Sequence, residues 1–117
     1  MPLYLISFEK DDWTVPEGGL PEVGRASHAV IQQAKDAGVY VFSGGLKYDD
    51  GSVEHAEVSV DGVVTDGPYP ESKELIGGVT IVNVPDRETA LQWAARIAAA
   101  CRCPQHVRTF IPDPESL

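Results

Sequence analysis

Three histidines, two closely spaced cysteines and a scatter of carboxylates are the side chains best suited to proton transfer or metal ligation. His28 falls in a helical stretch. An imidazole ordinarily titrates near neutrality, so it can serve as a general base where a neighbouring subunit closes over it. At 100° per residue it sits about 150° from the Val23, Val30 and Ala34 stripe, pointing away from its own core. The alternative is an exposed or interface histidine. His55 and Glu57 project from one side of a strand, about 6.6 Å apart at 3.3 Å per residue. Enclosed between sheets they would form a polar spot suited to acid–base work; on a wet face they would be ordinary surface residues. Cys101, Cys103 and His106 offer three ligands within six residues. However, C-x-C departs from the usual C-x2–4-C zinc spacing and no fourth ligand is evident, so no metal site is expected. Two reduced thiols are expected instead.

Other chemistries are excluded by what is missing. Gly44-Gly45 and Gly77-Gly78 are not followed by the spacings that cradle phosphate, and they read as strand ends or bulges. Neither G-x-S-x-G nor H-E-x-x-H occurs, which removes support for a hydrolase or zinc peptidase. With 18 acidic and 9 basic residues the formal charge is −9, and the acids are spread along the chain. Such a surface repels phosphate backbones, so nucleic-acid binding is not expected.

The elements that must position these groups are legible from periodicity. Leu3–Phe8 reads as a buried strand, and the charged, Pro- and Gly-rich stretch from Glu9 to Gly19 as a loop. Pro21 to Ala37 reads as a helix whose inward stripe is Val23, Ala26, Val30, Ala34 and Ala37, with Ile31 beside it and Gly38 as its stop. Val39–Phe42 is a second strand. Val53–Val60 alternates cleanly and returns through an Asp61-Gly62 turn to Val63–Thr65. Asp66 to Gly77 reads as an ordered loop and Val79–Val84 as a strand. Asp86 caps a helix with a wide apolar arc from Ala90 to Ala98, and Val107–Ile111 is the last strand. Residues 1–111 form one domain, followed by a frayed tail, 112–117.

This order predicts an α+β fold of the ferredoxin-like, split βαβ kind with an inserted hairpin. Two helices cover one sheet face only. Tyr4, Ile6, Phe8, Tyr40 and Phe42 are too many large side chains for that face, so some should lie on the other, sheltered by a second copy. A homodimer or higher even oligomer is therefore expected. Met1 leads almost directly into the first strand, without the pattern of a secretory leader or any membrane-length apolar run. Cytoplasmic residence without membrane association is the expectation.

One segment carries a resemblance. Asp66-Gly67-Pro68-Tyr69-Pro70-Glu71-Ser72-Lys73-Glu74-Leu75-Ile76-Gly77-Gly78 resembles the signature of the DGPF-domain branch of the YCII-related family, with Tyr69 in place of the usual Phe. The Val-rich strand after it and the helix containing Ala90, Trp93 and Ala94 are similar too. Val107-Arg108-Thr109-Phe110 departs from the Val-Arg-Pro ending common there. The resemblance extends from about Arg25 to Phe110 and implies a ferredoxin-like fold assembled as a dimeric α+β barrel. It also implies a histidine near His28 working with an aspartate. Asp36 is the obvious partner by analogy, but eight helical residues put it about 12 Å along the axis. Asp66, read as part of a loop able to reach back, is the better partner.

Within the motif, Asp66 can form an Asx-turn while Pro68 fixes its own φ. Tyr69, Glu71 and Lys73, with Glu57, are the candidate ligand-binding residues, and His28, Asp66 and His55 the candidate catalytic ones. Three functions stay open. The first is a dimeric small-molecule-binding or regulatory accessory protein; here the resemblance implies a protein partner linked to sigma-factor regulation. The second is a cofactor-independent acid–base enzyme that abstracts a proton from, or eliminates from, a small polar or aromatic compound. The third is a purely structural oligomer.

Overall fold

Alternating apolar residues place Leu3–Glu9 (β1) at the centre of the chain's main sheet in the computed structural model, which describes residues 2–12, 17–46, 55–67 and 76–116. Leu20–Asp36 forms helix α1, Tyr40–Gly45 strand β2, His55–Val58 β3, Val64–Gly67 β4, Ile76–Asn83 β5, Arg87–Cys101 helix α2 and His106–Thr109 β6. β2, β5, β1 and β6 make one antiparallel sheet in that order, and β3 pairs with β4 in a separate two-stranded sheet.

Register decides what faces the helices. Tyr4 pairs with Val82 and Ile6 with Thr80, and all four are buried. Tyr4, Ile6 and Val82, with Val84, with Ala34 of α1 and with Ala90, Trp93, Ala94 and Ile97 of α2, build a continuous core between the sheet and the helices. Phe8 pairs with Gly78, where a methyl group would lie 2.5 Å from the Phe8 ring edge; only glycine leaves room for that ring. The opposite face carries Leu5 across from Ile81, with Phe42 and Arg108 beside them.

The helices end for identifiable reasons. The Asp86 carboxylate accepts from the Thr89 N–H at 2.8 Å and from its hydroxyl at 2.6 Å, capping α2. Arg102, at φ 59°, turns the chain out of α2. Gly38, at φ 75°, does the same after α1. The N-terminus of α1 at Gly19 has no side-chain cap.

Several expectations are corrected here. The α+β class stands, with two α-helices and two sheets among the described residues, but the dimeric α+β barrel does not: neither of these sheets closes. Closure needs first and last strands to meet with matching tilt and stagger. Among the described residues β2 and β6 are the sheet's edges, and the β3–β4 hairpin that could have extended it forms its own two-stranded sheet. Asp66 belongs to β4, opposite Ala56, rather than to a loop. Of the five large residues, some of which should lie on the uncovered face, Tyr4 and Ile6 are buried under the helices and Tyr40 packs against that core. Phe42 turns outward, through a register shift between Tyr40 and Phe42. No helix among the described residues is long and apolar enough to cross a membrane.

Candidate functional site

Small residues on facing elements leave space where large ones would have filled it. Ser27 on α1, Ala100 on α2, Ser43-Gly44-Gly45 on β2 and Gly77 on β5 all border one cavity of about 400 Å³. Its apolar walls are Phe8, Val23, Val30, Ile31, Leu46 and Ile97. Against them stands a short polar strip: Ser27, His28 and Cys101 at one side, Ser43 and Thr80 on the sheet floor. The Ser27 hydroxyl lies 3.4 Å from the Cys101 thiol. The Tyr40 and Ser43 hydroxyls, 3.1 Å apart, hold each other on β2.

The inward face of α1 is turned from its expected direction. Val23 and Ala34 are buried as expected, but Ala26 and Ala37 are exposed, while Ser27 and Ile31 are half-buried. The face is rotated toward Ser27, which carries His28 to the cavity wall even though much of its side chain meets solvent.

The remaining sequence candidates are dispersed. Asp36 accepts from the Gln32 side chain at 2.9 Å, one turn back along α1, so its carboxylate is occupied there. His55 and Glu57 are exposed on β3, in the two-stranded sheet. Asp66 is one register position removed from the residue paired with His55. Tyr69, Glu71 and Lys73 lie outside the described residues. Of the 66–78 motif, Gly77 reaches the cavity and Gly78 makes room for Phe8.

The cysteines divide between two environments. Cys101 lines the cavity, whereas Cys103 is buried and within 3.4 Å of the Gln105 amide nitrogen. Burial pushes the Cys103 thiol up to about 11, helped by the neighbouring Cys101 and Asp12. It is therefore held as an inert thiol.

Residues 20–102 match the sequence profile of the YCII-related domain. The chain belongs to this family. The match runs from the start of α1 to the end of α2 and takes in every cavity-lining residue but Phe8. No curated protein sequence matches the chain. Within this YCII-related protein, Ser27, Thr80 and Cys101 escaped the sequence reading as cavity residues. The available signal was the run of Ser, Gly and Ala at positions where two helices and a sheet converge.

Proposed function

We propose that this YCII-related protein binds a small, largely apolar organic molecule with one polar group in the cavity under α1. The observation that carries this reading is the cavity itself, about 400 Å³ with mainly aliphatic and aromatic walls and a few convergent hydroxyl, thiol and imidazole groups. That volume is at the lower end of the range for small-molecule sites, and the wall composition matches theirs. Ser27 and Thr80 would orient the polar group, and Gly77 brings the end of the DGPF-like motif to the same wall. The protein would act as a homo-oligomer, since Phe42 is 55% exposed on a sheet face that no helix among the described residues covers.

His28 supports a second reading, an acid–base enzyme. Its imidazole borders the cavity and could take a proton from a bound compound without a cofactor. Ligand-observed NMR with a fragment library tests both readings, using wild-type protein, Ser27→Leu and His28→Gln. Binding by single-ring fragments that Ser27→Leu abolishes, with its thermal melt still cooperative, supports the site. Equal binding to Ser27→Leu rejects it. Conversion of a bound fragment that ceases in His28→Gln favours the enzyme, and binding without conversion favours the binder.

A further inference from the structure

A second constellation lies at the opposite sheet edge, away from the cavity and outside the family match, which ends at residue 102 and begins at residue 20. Glu9 ends β1, and the chain then winds into the short 3-10 turn Lys10–Asp12, which brings Asp12 back beside it. His106 opens β6, in register with Ser7 of β1. Glu9, two residues on from Ser7, therefore sits diagonally across from His106 on the same face. The ligating atoms of Glu9, Asp12 and His106 all lie within 4.8 Å of one another.

We infer that Glu9, Asp12 and His106 form a binding site for a divalent first-row transition-metal ion, zinc foremost. Ligands held at 2.0–2.2 Å in a tetrahedron are about 3.4 Å apart. His106 Nε2 and Glu9 Oε1 are already 3.6 Å apart, too long for a good hydrogen bond but close to that edge length. The remaining approach, from at most 4.8 Å to about 3.4 Å, falls to side chains with surface freedom to change rotamer. Two carboxylates and a neutral imidazole carry a charge of −2, which matches a dication. The imidazole selects transition metals over magnesium or calcium, which favour oxygen alone.

Three protein ligands leave a position for an exogenous group, and space for one adjoins them. A cavity of about 340 Å³ is lined by Ser7, Glu9, His106 and Arg108, among others. Arg108 donates toward the Ser7 hydroxyl at 3.5 Å, so its guanidinium stands over this space and would favour an anionic metal-bound ligand, such as a carboxylate. Neither cysteine belongs to the ligand set, so the site differs from the C-x-C arrangement considered from sequence.

Isothermal titration of the full chain with zinc chloride, and absorption spectra with cobalt chloride, test the site. One ion per chain is expected, bound at least tenfold more weakly by His106→Ala and by Asp12→Asn. Affinity should be unchanged in the Cys101→Ser/Cys103→Ser double variant, and the cobalt spectrum should lack a thiolate charge-transfer band. Both ligand substitutions are at exposed side chains, and a far-UV melt checks that the variants stay folded. The inference is overturned if no ion binds, if His106→Ala and Asp12→Asn bind as tightly as the wild type, or if the cysteine variant loses the ion.

Discussion

The two helices lie on the same sheet face yet are held there in different ways. α2 buries Ala90, Trp93, Ala94, Ile97 and Ala100, has a side-chain cap at its start and ends in a left-handed residue. α1, two residues longer, buries only Val23 and Ala34 and begins without a side-chain cap. The difference is the cavity: α2 is packed onto the strands, whereas part of α1 spans a space. One helix secures the fold and the other roofs a site. Binding regions are drawn from the less tightly packed parts of a structure, because a ligand needs room that a full core does not leave.

That contrast can be broken most directly at Trp93. Trp93→Ala should cost about 3–5 kcal/mol in urea unfolding, as large buried aromatics do. Ile31→Ala, at the cavity wall of α1, should cost clearly less; equal losses would mean that α1 is as much a part of the core as α2. Next in size is Gly78→Ala. The new methyl group would drive the Phe8 ring toward the cavity, costing about 1–3 kcal/mol by urea unfolding and weakening fragment binding. A neutral result would show that Phe8 has room to move elsewhere.

Two smaller effects depend on pH. The Cys103 thiol is raised in the folded chain from an ordinary 9.0 to about 11, mainly by burial. The native state therefore keeps its proton longer than the unfolded one, and stability should fall as pH rises from about 9 to about 11. Urea melts across that window should show a shallower decline in Cys103→Ala. Asp86 has the opposite sign. Bonds from the Thr89 hydroxyl and N–H hold its carboxyl below the ordinary 3.8, so its contribution is present at neutral pH and lost as pH falls through the lower folded value. Asp86→Ala should lower the thermal midpoint at pH 7 and flatten the acid side of the profile, with the smallest effect of these substitutions.

The same contrast explains what could be read in advance. α2 was legible because its signals were strong and local: an aspartate able to cap, then a broad apolar arc containing Trp93 and Ile97. α1 was legible as a helix but not in its facing. Ala26 and Ala37 counted as apolar in the period although both are exposed, because alanine buries too little surface to fix a helix's rotation. Asp66 was misplaced because Asp-Gly-Pro reads as a turn, whereas pairing with Ala56 across the hairpin extends β4 to Gly67. The barrel failed for a similar reason: whether edges meet depends on pairing between distant segments, which local patterning does not encode. The cavity was hidden because it is made by small side chains, and the Glu9, Asp12 and His106 cluster because its members are separated by nearly the whole chain.

Titration with indole, followed through the backbone amide resonances, tests the small-molecule site most directly. Saturable shifts are predicted at Phe8, Ser27, His28, Thr80 and Cys101, with the β3–β4 hairpin unaffected. Absence of saturation, or shifts confined to the hairpin or to the sheet face bearing Phe42, would contradict a binding cavity under α1.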